Sequence, residues 1–169
     1  MTSHSFPNTN NLVIANGEYA AGFPDADLDV APSRRMAIVA CMDARMDMPA
    51  MLGLRNGEAH ILRNAGGVVT DDVIRSLCLS QRALGTEEII LVHHTKCGLS
   101  GLDEAALKAE LAEEVGVKPS WSFEAFGDPY RDVIQSAERL RLSPFLPNTD
   151  HIGGFVYDVD TGLLERVDL

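Results

Sequence analysis

Three short apolar runs, Met36-Ala37-Ile38-Val39-Ala40, Ala59-His60-Ile61-Leu62 and Glu88-Ile89-Ile90-Leu91-Val92, leave this chain few folds to choose from. Each has the length of a strand and lacks the polar alternation of a sheet wetted on one side, so all three read as strands buried on both faces. Between the second and third, Val73, Ile74, Leu77, Cys78 and Leu84 recur at helical spacing. Asp71 and Asp72 stand at the positive end of that helix and Gly85 beyond its far end. A crossover helix between two such strands is a βαβ unit, which makes the strands parallel. Further helices are expected over Asp103 to Val115, capped by Asp103 and closed by Gly116, and over Pro129 to Leu142, stopped by Pro144. Ile152 to Val159 and Leu163 to Val167, around Asp160-Thr161-Gly162, have the alternation and turn chemistry of a hairpin. The expected fold is therefore α/β: a mainly parallel sheet flanked by helices, with an antiparallel edge strand from the C-terminal hairpin.

A chain of 169 residues suits one domain with a proper core. Residues 1–34, rich in Asn, Asp, Pro and Ser, read as an N-terminal arm, and residues 35–169 as a single α/β domain. The formal charge of -11 and the lack of any Lys/Arg-rich run argue against nucleic acid and anionic membranes as partners. No stretch has the roughly eighteen uninterrupted apolar residues of a membrane span, and no basic-then-apolar leader opens the sequence, so a cytoplasmic protein is expected. Three irregularly spaced cysteines are too few for a disulfide scaffold, which leaves metal binding or packing for their thiols.

The chemistry-bearing residues lie just past the strands. Cys41 follows the first, Asn64-Ala65-Gly66-Gly67 the second, and His94 and Cys97 the third, all at the carboxyl edge where open parallel sheets bind ligands. His94 and Cys97, three residues apart, can ligate one ion from a tight turn. With Cys41 they form a set of two sulfurs and one nitrogen, which suits zinc and leaves the fourth tetrahedral position open, as in catalytic rather than structural sites.

Cys41-Met42-Asp43-Ala44-Arg45 and His94-Thr95-Lys96-Cys97-Gly98 resemble the two zinc motifs of the β-class carbonic anhydrases, in a short form. Ala59-His60-Ile61-Leu62-Arg63-Asn64-Ala65-Gly66-Gly67 and Gly154-Phe155-Val156-Tyr157-Asp158 are similar to the family as well. The resemblance spans roughly residues 34–167 and is dense between 36 and 101. It implies a lyase that hydrates carbon dioxide reversibly to bicarbonate through a zinc-bound hydroxide, with one Zn2+ per chain on Cys41, His94 and Cys97. It also implies catalytic roles for Asp43 and Arg45. Asp43 would orient the hydroxide and Arg45 would hold Asp43; alternatively, Asp43 is a fourth zinc ligand in an inactive form. The resemblance further implies a homodimer or higher homo-oligomer, for which the apolar clusters of residues 11–30 would suit an arm crossing to a partner. Two rival functions stay open: a zinc hydrolase acting on carbon disulfide or carbonyl sulfide, and a non-enzymatic zinc site closed by Asp43.

Other polar residues have plainer readings. Cys78 falls on the apolar stripe of its helix and reads as core. His93 and His60 read as hydrogen-bonded structural histidines. Gly66 and Gly67 read as a tight turn with positive dihedrals, with anion recognition as the lesser alternative. Lys96 departs from related motifs, which often carry an acidic or small residue there.

Overall fold

The computed structural model describes residues 7–169; the first six residues of the expected arm lie outside the described residues. A five-stranded sheet forms the centre, built from β1 (Met36–Cys41), β2 (Ala59–Asn64), β3 (Glu88–His94), β4 (Ile152–Tyr157) and β5 (Leu164–Val167). Its order is β2-β1-β3-β4-β5, parallel throughout except for the antiparallel β4–β5 pair. The expected fold class is the observed one. The helices are α1 (Pro7–Ala21), α2 (Met48–Leu52), α3 (Asp71–Arg82), α4 (Glu104–Val115) and α5 (Pro129–Arg141).

The apolar runs are continuous because β1 and β3 are covered on both faces. Ala37, Val39, Ile89 and Leu91 point to one side, where Val73 and Leu77 of α3 and Val133, Ala137 and Leu140 of α5 cover them. Ile38, Ala40 and Val92 point to the other, against Met46, Met48, Leu54 and Leu99. β2 differs from the expectation of a strand buried on both faces. It lies at the sheet edge, with Ile61 and Arg63 exposed.

Local chemistry starts and stops the helices. The Thr70 hydroxyl accepts from Val73 N at 3.4 Å at the start of α3, and the Asp103 carboxylate accepts from Ala106 N at 3.0 Å at the start of α4. Gly116 ends α4 at φ 75°, which glycine adopts without steric cost. Pro129 sits in the first turn of α5, where its missing N–H costs nothing. Two elements escaped the sequence reading. α2 is a five-residue turn capped by Asp47, and α1 is a fifteen-residue helix within the expected arm. α1 is exposed from Asn8 to Ala21, Leu12, Val13 and Ile14 included, so no apolar stripe marks it out.

The topology positions the site. From β1 the chain runs outward to β2, then crosses back through α3 to β3 on the other side of β1. The carboxyl ends of β1 and β3 are thus neighbours at the point where the winding reverses, which is where open α/β sheets bind ligands.

Candidate metal centre

Cys41 ends β1, His94 ends β3, and Cys97 follows in the next turn. All three are buried, and their ligand atoms lie within 4.8 Å of one another. The two sulfurs are 4.0 Å apart. Two thiolates on one tetrahedral zinc, each at about 2.3 Å, would stand about 3.8 Å apart. His94 accounts for the nitrogen. Its Nδ1 lies 2.8 Å from the Thr95 carbonyl oxygen, to which it donates, so the lone pair is on Nε2. Nε2 is buried without a hydrogen-bond partner. A buried, unsatisfied nitrogen aimed at two thiols is the environment a zinc ion satisfies, and the residues fit the metal.

Charge within the cluster agrees with this. Cys41 is pulled down to about 4, first by the Cys97 thiol donating to it and then, against the opposing effect of burial, by His94. Cys97 is pushed above the ordinary thiol range by that shared proton and by burial. Burial disfavours the charged form of His94, but Cys41, Thr95 and Asp43 together raise its affinity for a proton. The pocket attracts positive charge, and a cation serves the same groups in a proton's place.

Asp43 and Arg45 meet as expected. Arg45 donates from Nε to Asp43 Oδ1 at 2.8 Å, from Nη2 to Oδ2 at 2.7 Å, and from its backbone N to Oδ1 at 2.9 Å. These bonds hold the Asp43 carboxyl well below the usual carboxylate range. Oδ2 stands 3.7 Å from His94 Nε2, beside the cluster and too far for a hydrogen bond. Arg45 Nη2 also donates to the Lys96 carbonyl at 3.1 Å, tying this pair to the ligand-bearing turn.

Gly66 and Gly67 form a single 3-10 turn with Ala65, at φ 79° and 72°. A Cβ on Gly67 would sit 2.7 Å from Cys41 N and 2.9 Å from the Ala40 carbonyl carbon, so only glycine lets this turn seat against the ligand strand.

The family model for carbonic anhydrase matches residues 36–125. Beta-carbonic anhydrase 1 of Mycobacterium tuberculosis is 50% identical over 159 residues, covering 94% of this chain and 97% of that protein. The chain belongs to the β-carbonic anhydrase family. A crystal structure of carbonic anhydrase from Streptococcus mutans superposes with a TM-score of 0.90 at 41% identity, covering 97% of this chain and 99% of that one. A carbon disulfide hydrolase of Acidithiobacillus thiooxidans is also similar, 33% identical over 158 residues, with 81% of this chain and 79% of that protein covered. β-Carbonic anhydrases use zinc, and the Cys41, His94 and Cys97 group is the one among the described residues that could hold it.

The bland readings also hold. His93 Nε2 lies 2.6 Å from Asp132 Oδ2, and His60 Nδ1 lies 2.8 Å from Ser80 Oγ. Cys78 packs beside the core. Three features around the site were missed. Arg63 donates to the carbonyls of Cys41 and Asp43, Lys96 has left-handed backbone at φ 53°, and its ammonium pairs with Asp160 at 2.5 Å. Arg63 lies within the Ala59 to Gly67 motif, but the strand order that brings it beside β1 is not readable from the sequence.

Proposed function

We propose that this chain catalyses the reversible hydration of carbon dioxide to bicarbonate, with one zinc ion held by Cys41, His94 and Cys97. The observation that carries the reading is the buried, unpartnered Nε2 of His94 beside two thiols, Cys41 at the end of β1 and Cys97 in the turn after β3. Bound there, zinc would supply the Lewis acidity that lowers the pKa of water far below its bulk value. Everything else falls to the chain. Two thiolates put negative charge on the metal, so activity rises toward alkaline pH. Asp43, fixed at both oxygens by Arg45, accepts the hydrogen bond of the attacking water and directs its lone pair at the carbon. Val68, Val92 and Leu99 share an apolar cluster with the two thiols, so the core side of the site is apolar and dry.

Carbon dioxide hydration by the zinc-loaded protein, followed by stopped flow from pH 7 to about pH 9, tests the reading. Fast hydration that rises with pH supports it. A zinc-loaded protein inactive at every pH overturns it. The similarity to a carbon disulfide hydrolase supports a second reading, hydrolysis of carbon disulfide, which sulfide release would reveal.

The site belongs to a homo-oligomer in this reading, with residues 1–34 as the arm and residues 35–169 as the catalytic domain. An exposed helix of this length is marginal in water without a packing partner, and β2 leaves a sheet edge open. Removing residues 1–34 should shift sedimentation toward a monomer. No described helix is long and apolar enough to cross a membrane, which fits a cytoplasmic location.

A further inference from the structure

The turn from Cys41 to Asp43 carries a sulfur ligand at one end and the site's carboxylate at the other, and the sheet ladders hold only its first residue. The β1–β3 ladder ends at Ala40 and Val92, and the β1–β2 ladder at Cys41 and Asn64. Packing holds Cys41, which is buried, but not Met42, which is 64% exposed. Three backbone contacts remain. Met42 N donates to the Asn64 carbonyl at 2.8 Å, and Met46 N to the Asp43 carbonyl at 3.1 Å. The third is a fork. From β2, Arg63 donates through Nε to the Cys41 carbonyl at 2.9 Å and through Nη2 to the Asp43 carbonyl at 2.6 Å.

We infer that Arg63 is a positioning residue, clamping the Cys41–Asp43 turn so that the thiol and the carboxylate face the metal together. This rests on the zinc reading above. The division of labour follows from the atoms. Arg45 grips the Asp43 carboxylate, whereas Arg63 grips only the backbone and so fixes the base from which Cys41 and Asp43 both project. A planar guanidinium can bridge two carbonyls at once; a lysine ammonium, a point donor, can hold one. Arg63 is exposed, so its loss shows in the geometry of the site more than in the stability of the fold.

The test uses full-length Arg63→Gln and Arg63→Lys proteins, with Arg75→Gln as a control whose guanidinium pairs with Asp72 on α3. Zinc transfer to a chromophoric chelator and the visible spectrum of the cobalt-substituted protein are recorded for each. Zinc should leave the Arg63→Gln protein about tenfold faster or more, the usual effect of losing a residue that supports a metal ligand. The cobalt bands should shift, Arg63→Lys should fall between, and the control should match wild type. Should Arg63→Gln fail to fold, Arg63→Lys carries the same comparison. Unchanged release and an unchanged cobalt spectrum in the Arg63 variants overturn the inference, as does a loss of thermal stability alone. A wild-type chain that takes up neither zinc nor cobalt overturns the metal reading, and this inference with it.

Discussion

Gly67 and Gly98 both stand in motifs beside metal-binding residues, yet replacing each by alanine should give opposite results. At Gly67 the new methyl would lie 2.7 Å from Cys41 N, 2.9 Å from the Ala40 carbonyl carbon and 3.2 Å from the Val92 oxygen, against ordinary carbon contacts of about 3.5–4.0 Å. All three are backbone atoms of strands fixed on both sides, so nothing flexible can move aside. The left-handed dihedral, φ 72°, adds about 1–2 kcal/mol for a residue with a Cβ. Overpacking adds about 1–3 kcal/mol, and the stiffer unfolded chain returns about 0.4–1 kcal/mol. Gly67→Ala should therefore destabilise the fold by about 1–4.5 kcal/mol and loosen zinc, because the strain falls on Cys41. At Gly98 the added methyl would meet no heavy atom within 4 Å, and the backbone there is not left-handed. Gly98→Ala should stay within about 1 kcal/mol of wild type and need not be destabilising. Urea unfolding with and without zinc measures both. Should Gly67→Ala unfold within about 0.5 kcal/mol of wild type, the argument that this turn seats the ligand strand is wrong.

Cys41→Ser should leave the protein without zinc after dialysis against a chelator, while the parent keeps its ion through the same treatment; metal analysis of the two samples decides. Asp132→Ala removes the partner of fully buried His93, whose Nδ1 already has none, and should cost about 1–3 kcal/mol in urea unfolding. Glu104, at the start of α4, is held down to about 2, chiefly by the Lys108 ammonium at 2.7 Å and also by the Ser122 hydroxyl. Its folded pKa lies below the ordinary 4.5, so its contribution to stability is present above that value and lost as pH falls toward 2. A carboxyl titration by NMR should show the depressed value, and Lys108→Ala should move it upward.

The sheet and the metal cluster were legible because both are written in local patterns. Apolar runs marked β1 and β3, and the cysteines and histidine stood immediately past them. β2 looked like its neighbours in sequence, but strand order puts it at the edge, and a short apolar run carries no sign of strand order. α1 was hidden for a different reason: a helix that buries nothing within its own chain has no apolar stripe to reveal it. The Asp43–Arg45 pair lies within one short motif and could be read directly. The Arg63 clamp joins residues on two strands, and the Lys96–Asp160 pair joins a ligand turn to a hairpin turn, so both depend on the finished topology.

Cys41 and His94 sit on adjacent strands in space, but the chain between them includes all of β2, α3 and most of β3. Closing so long a segment is entropically costly and slow, and neither ligand can find the other before β3 has docked on β1. The complete three-ligand site therefore exists only once β3 has docked on β1, and zinc held there would stabilise the folded chain over the unfolded one.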